Sequence, residues 1–385
     1  MTPSTALKAA RFAMIAAASF GTAAPITAQP ITAQPITAPP IAVDSARRVT
    51  FGAFLDGVYA FDVNRPPARD RAFTTQPARH NEFNINLAFI EVKVTGDRVR
   101  GRLALQAGTS VQSNYAAEPR QGSVSGDVLA RSLQEAYAGY HLTPRLWIDG
   151  GIFYSNSGME GWTSRDNPVY TRSLVADFSP YYSTGLRATW QVTPALTARL
   201  DVVNGWQNIS ESNDDKSLGL RFDLAATPTT TLSWYGYAGN EAGSQRRLFN
   251  GVGLTSRLAD RLDLLAQVDV GAQQWRDSVT AVQTTHGWYG ATLVGRLWVT
   301  PTVALAARVE RFADGDGVLA TTATGAPFRT NGASVGLDVR PEPKVLWRTE
   351  LRGLAAADAV FPTTRQLSGF SRRNGVFVTS LALTF

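Results

Sequence analysis

Arginines and carboxylates recur two positions apart along this chain: Arg199 with Asp201, Arg221 with Asp223, Arg308 with Glu310, Asp338 with Arg340, and Arg348 with Glu350. Residues spaced by two share one face of a strand, so each pair would place both charge signs on the same surface. Arg98, Arg100 and Arg102 repeat the spacing as three cations, with only Gln106 further along their face. Lys93, Arg187, Arg257, Arg296 and Arg352 fall on polar faces as well. So do Asp56, Glu91, Glu135, Asp149, Asp263 and Asp269. Groups of this kind orient and steer polar solutes; charges of both signs around a narrow aqueous space set up a transverse field that disfavours apolar molecules. The alternative is that they are wall-stabilising pairs with no influence on permeation.

Nucleophilic catalysis needs a base beside the nucleophile and a group that orients the base. The three histidines, His80, His141 and His286, have no such pattern of serine and acid around them, so no catalytic residue is expected. "DGDG" at 314–317 matches the start of a calcium loop but lacks the later ligands, and is read as a glycine-rich loop tip. The chain has no cysteine, hence no disulfide and no thiolate metal site. No metal or cofactor is expected. A formal charge of +6, evenly spread, does not argue for nucleic acid.

The faces that carry these charges belong to strands. From Thr50 onward, segments of about 10 to 14 residues alternate in polarity and are joined by connections that are in turn very short and long. The short ones are "TGDR" at Thr95, "TPR" at Thr143, "TPA" at Thr193, "TPT" at Thr227, "ADR" at Ala259, "TPT" at Thr300 and "PEP" at Pro341. Proline in five of them cannot donate a ladder hydrogen bond and ends the strand. The long connections fall near 63–81, 112–130, 156–179, 207–215, 241–246, 276–284, 314–327 and 358–371. Seven short and eight long connections join sixteen strands.

A soluble sandwich has no reason to keep every second turn tight. An outer-membrane barrel does, with short periplasmic turns and long external loops. An even strand count lets the first and last strands pair and close the sheet. The expected fold is therefore all-β, a closed antiparallel transmembrane barrel of about 16 strands. Tyr182, Leu186, Ala188, Trp190 and Val192 share one face of their strand. Leu196, Ala198, Leu200, Val202 and Trp206 do so in the next, and Leu218, Leu220, Phe222 and Leu224 in the one after. Sixteen strands enclose more space than side chains fill, so the apolar faces should meet lipid and the interior should be water. Aromatics near the short turns (Tyr140, Trp190, Trp347, Phe385) and near the long loops (Phe61, Tyr154, Trp206) would form two girdles, while Trp234 sits mid-strand.

The chain ends on "VFVTSLALTF", with Phe377, Leu381, Leu383 and Phe385 on one face. This resembles the C-terminal signal of outer-membrane barrels, which implies recognition by the barrel-assembly machinery through strand addition. "GIFYSNSGME" (151–160), "DNPVYTRSLVADFSPYYSTG" (166–185), "VVNGWQNI" (202–209) and "YGYAGNE" (235–241) resemble the OmpL-like family of β-barrel porins. The resemblance spans nearly all of 50–385 and implies a water-filled channel for small hydrophilic solutes, integral to the outer membrane of a Gram-negative-type bacterium. It supplies no site residues. Arg98, Arg100, Arg102, Arg187, Arg199, Asp201, Arg221, Asp223, Arg308, Glu310, Arg348 and Glu350 are the expected pore lining. By analogy with the third external loop of porins, 156–179 folds inward with Trp162, Arg165, Asp166, Tyr170, Arg172 and Asp177, or else stands exposed outside. Thirteen inward cations against eleven acids, with the Arg98–Arg102 ladder unpaired, suggest a weak preference for anions. The rival readings are a non-conducting barrel acting as anchor or adhesin, and an outer-membrane hydrolase.

The N-terminal segment reads as a leader. Lys8 and Arg11 precede the short apolar run "FAMIAAASFGTAA", the pattern of a secretory signal peptide over 1–28, with cleavage after Ala23 or Ala28. "PITAQPITAQPITAPP" follows, within a proline-rich linker over 29–48, and the barrel occupies 49–385. No later window is long and apolar enough for a membrane helix. Oligomerisation is possible but not legible.

Overall fold

In the computed structural model the described residues are 48–119, 127–241, 245–259, 261–276, 280 and 282–385. The expected leader, and the linker up to residue 47, lie outside them. Sixteen antiparallel strands close into one barrel. They are β1 (Arg48–Asp62), β2 (Glu82–Thr95), β3 (Val99–Ala107), β4 (Leu133–Thr143), β5 (Leu146–Tyr154), β6 (Tyr182–Gln191), β7 (Leu196–Val203) and β8 (Ser217–Thr227). After them come β9 (Thr230–Glu241), β10 (Gln245–Leu258), β11 (Leu262–Arg276), β12 (Gln283–Thr300), β13 (Val303–Asp314), β14 (Phe328–Glu342) and β15 (Val345–Ala356). A two-stranded hairpin, β16 (Phe361–Pro362) with β17 (Phe370–Ser371), occupies the last long loop, and β18 (Arg373–Thr384) completes the wall. Neighbours in sequence are neighbours in the sheet, and β1 pairs with β18 from Phe54↔Thr384 to Asp62↔Val376. Closure removes both edges, as a lipid setting demands.

β13 shows why these sequences make a wall with two unlike faces. Leu305, Ala307 and Val309 point out and are exposed, while Ala304, Ala306, Arg308 and Glu310 point in and are buried. β18 divides in the same way: Phe377 and Leu381 outward, Val376, Val378, Ser380 and Ala382 inward. The apolar face is the outer one throughout, with Leu186, Leu200, Leu220, Phe222, Leu293 and Leu351 uncovered. An aqueous exterior would penalise such a band, whereas hydrocarbon does not. Tyr140, Trp190, Trp347 and Phe385 lie on this outer face beside the short turns, and Trp234 packs beside Phe222 with ring centroids 5.7 Å apart.

Three aromatics expected on the outer face lie inside. Trp206 meets Tyr237 and Phe249 edge-on, each at 5.0 Å, and Arg247 covers it at 5.2 Å. Tyr154 lies 5.5 Å under the Arg102 guanidinium. Tyr182 stacks on Tyr115 at 4.3 Å and donates its hydroxyl to Glu118 at 2.7 Å. The cause for Tyr154 and Tyr182 is local. Gly151 and Gly185 are partners across β5 and β6 and have φ of +134° and +157°. Such backbone interrupts the simple alternation that the face assignment assumed. A Cβ at either would fall 2.1 Å or less from a carbonyl oxygen, of Ala136 or of Val202.

Nor is the interior filled by water alone. Inward Leu265, Val294, Phe312 and Leu354 pack with Met159, Val169, Leu174 and Val175 from the longest connection. Phe54, Leu87 and Leu346 pack with Trp162 and Tyr181. A wall with inward apolar residues needs something to cover them, and the chain supplies its own segment.

Candidate functional site

Residues 156–179 run down the inside of the barrel, held by charged groups on opposite walls. Arg348 on β15 donates from Nη1 to the Ser164 carbonyl (2.6 Å) and from Nη2 to that of Asn167 (2.7 Å). Arg308 on β13 donates to the Thr171 carbonyl (2.6 Å) and hydroxyl (2.7 Å). Glu350 accepts from the Thr171 N–H (2.7 Å) and hydroxyl (2.8 Å), and Glu310 from the Leu174 N–H (2.7 Å). From β8, across the barrel from β15, Arg221 binds the carbonyls of Asn156 and Gly158 at 2.9 and 2.8 Å, and Gln267 on β11, between the two, accepts from the Met159 N–H at 2.9 Å. Apart from the two to the Thr171 hydroxyl, these contacts meet backbone groups of the segment, for which a buried loop must find partners.

The side chains of the segment complete the attachment. Trp162 donates its indole N–H to Gln106 on β3 at 3.0 Å, and Tyr170 its hydroxyl to Asp56 on β1 at 2.9 Å. Ser164 reaches the same Asp56 oxygen at 2.7 Å. Arg165 extends to the opposite rim, binding the Pro343 carbonyl in the β14–β15 turn at 2.6 Å and the Thr384 hydroxyl. Asp166 ends a single 3-10 turn, Ser164–Asp166. Arg172 is fully buried and caps carbonyls of Tyr170 and Trp162. Asp177 ends the short helix Leu174–Asp177 and accepts the Thr75 N–H (3.1 Å) and hydroxyl (2.6 Å), which ties the segment to the first long loop. Burial pushes the Asp177 carboxyl up to about 6, against the pull of Arg352, the Thr75 hydrogen bonds and Arg172.

Sequence reading placed the charged rows on the inner face but chose the wrong partners for several. Arg221–Asp223 (2.8 Å) and Arg308–Glu310 (3.3 Å) are pairs along one strand. Asp201 instead takes Arg187 at 2.7 Å, and Arg199 takes Asp223 at 3.4 Å. Asp338 takes Arg348 at 2.7 Å rather than Arg340, and Glu350 takes Arg308 at 3.2 Å rather than Arg348. Adjacent strands lie about 4.8 Å apart while residues two apart on one strand are separated by about 6.6 Å, which favours the neighbouring-strand partners of Asp201 and Asp338; Arg308 reaches Glu350 past β14 by the length of its side chain. The basic ladder is not unpaired either, and Gly139 on β4 leaves room for Arg100 to reach past it. Arg100 bonds Asp149 on β5 at 2.7 Å, and Arg102 binds Glu91 on β2 at 2.6 Å and Glu135 on β4. Arg98 belongs to the turn before β3 and touches the outward Tyr140 hydroxyl at 3.4 Å.

Several organising residues were missed. Gln76 is completely buried; it donates to the Trp162 carbonyl at 2.9 Å and accepts from Asn86 and Arg172. Asp314, which begins "DGDG", gathers the N–H groups of Val318, Leu319 and Ala320 at 3.0, 2.7 and 2.9 Å and so shapes its loop. Nothing in a polar loop singles out Gln76. Asp at a loop start is a general turn signal, from which the Asp314 role was within reach.

A family model described as "Putative beta-barrel porin-2, OmpL-like" matches residues 48–385. The outer membrane channel DcaP of Acinetobacter baumannii is similar in structure, with a TM-score of 0.58 at 11% identity over 88% of this chain and 97% of that one. An anion-selective porin from Comamonas acidovorans gives 0.57 at 9% identity over 88% and 100%. OmpF of Salmonella typhi, in complex with daunomycin, gives 0.55 at 12% over 88% and 97%. No curated protein matches the chain in sequence.

Proposed function

We propose that this chain, which belongs to the OmpL-like β-barrel porin family and is an integral barrel of the bacterial outer membrane, passes small polar solutes through a lumen narrowed by residues 156–179. The observation that carries the reading is the attachment of that segment to β8, β11, β13 and β15 at once. Arg308, Glu310, Arg348 and Glu350 are buried beneath the segment, so the charged pairs that face the lumen are ones such as Arg100–Asp149 and Arg187–Asp201, which suit hydrated polar solutes and reject apolar ones. The chemistry is passive and non-enzymatic. With Arg100 and Arg102 paired, any preference for anions has to come from cations that lack a carboxylate. The outward row Phe377, Leu381, Leu383 and Phe385 is proposed as the strand face presented to the assembly machinery.

The depth of the inserted segment favours one rival, a non-conducting barrel, because Arg165 reaches the far rim. Planar-bilayer recording decides. Ohmic single-channel steps, with swelling of liposomes in glucose and glycine, are the expected result; a silent membrane carrying heat-modifiable, folded barrel would leave the anchor or adhesin.

A further inference from the structure

Arg340 lies on the inner wall at the short-turn end of β14, and among the described residues no carboxylate pairs with it. Its Nε is enclosed without a hydrogen-bond partner, and its guanidinium lies over the Trp298 ring, 4.6 Å from the centroid. Arg296 lies over the same ring at 5.2 Å. The indole is fixed in place by donating to Asp263 at 2.9 Å. Between them runs β13, whose inward residues here are small. Ala304 stands between Trp298 and Asp338, and Ala306 between Arg296 and Gly336. No long side chain from β13 takes up the space across which Trp298 and Arg340 face each other.

The nearby acids are committed elsewhere. Asp338 binds Arg348 at 2.7 Å and lies 3.8 Å from Arg296, while Asp263 binds Arg257 at 2.6 Å and Arg296 at 3.1 Å. Arg165 comes in from the inserted segment, within electrostatic reach of Arg340. Arg257, Arg296 and Arg348 thus draw on these two carboxylates, and neither forms an ion pair with Arg340. In the turn beyond, Glu342 and Lys344 are exposed and of opposite sign.

We propose that Arg340, Arg296 and Trp298 form a binding site for a small oxyanion, a carboxylate or a phosphate, where the lumen opens at the short-turn end. A guanidinium stacked on an indole keeps its N–H edge free for a bidentate contact, and the ring holds it at little further entropic cost. An anion there supplies the counter-charge that the wall withholds. Among the described residues Arg172 and Arg247 also have no carboxylate partner but are occupied, the first by backbone carbonyls and the second by Gln273 at 2.7 Å. The site rests on the channel reading only for its route of access.

Calorimetric titration of the folded barrel in detergent with inorganic phosphate, acetate and glucose tests it. The expected result is saturable binding of phosphate or acetate and none of glucose, weakened about 10-fold in Arg340→Gln, as loss of one charge-assisted contact implies. Arg340→Lys, which keeps the charge, should lose less, and heat-modifiable migration checks folding of each variant. Phosphate and acetate affinities equal in the wild type and the folded Gln variant would overturn the site, as would no binding of either. The bilayer recording is independent: a silent membrane with phosphate binding lost in Arg340→Gln defeats the channel and keeps the site, whereas conduction with unchanged binding does the reverse.

Discussion

Arg348 joins three things: the Asp338 carboxylate at 2.7 Å, the Ser164 carbonyl and the Asn167 carbonyl. Truncation to alanine strands a buried carboxylate and frees two loop carbonyls, a loss of about 3–5 kcal/mol for a broken buried pair. The expected outcome for Arg348→Ala is a lower unfolding midpoint in urea together with larger and noisier single-channel steps. Asp177 provides a second test. Its carboxyl is pushed up to about 6 when the segment is docked, from 3.8. A group that holds its proton more tightly when docked favours docking at low pH, so this contribution is full below about 4 and is lost as pH rises through about 6. Protease accessibility of the segment should therefore increase from pH 4 to pH 7, and Asp177→Asn should flatten that increase. A change in the wild type that is matched in the variant would assign the effect to other groups.

At the scale of the element, the paired glycines of β5 and β6 allow Tyr154 and Tyr182 to turn inward onto Arg102 and Tyr115. A side chain at Gly185 would meet the Val202 carbonyl at 2.0 Å, with φ already in the left-handed half of the map. Gly185→Val should cost about 1–3 kcal/mol from backbone strain alone, with the steric clash added. It should appear as a reduced yield of heat-modifiable barrel. Gly353→Ala, where nothing lies within 4 Å of the added carbon, serves as the comparison and should fold normally.

For the whole molecule the tests are of lipid contact and orientation. Leu220 is outward on β8, so Leu220→Arg should destabilise the barrel by about 2–4 kcal/mol if it lies near the bilayer midplane, measured by equilibrium unfolding in phospholipid. The chain contains no cysteine, so single cysteines report position cleanly. Leu367, fully exposed in the last long loop, should label from outside intact cells when replaced by cysteine, and Pro194 in a short turn should not. Labelling at Pro194 would invert the topology.

Alternation has a period of two residues and is written locally, so the wall was legible from the chain alone: sixteen strands, their connections, the outward Leu186, Leu220 and Phe377, the inward Arg187, Asp201 and Glu350. The hydrophobic effect and the backbone's need for partners act on every strand alike, and they leave one architecture for such a pattern. Partner choice was not legible, because it depends on which strand stands beside which and at what register. Arg348 chose Asp338 across the sheet over Glu350 on its own strand. The inserted segment was legible only as a long connection that would fold in or stand out. Its position is decided by contacts such as Thr171 with Glu350, 179 residues apart, which exist only after the wall has closed around them. The sequence by itself determined the faces; the tertiary structure decided what lies between them, because burial of the inward Leu265, Val294 and Leu346 and satisfaction of the loop's peptide groups are properties of the closed barrel.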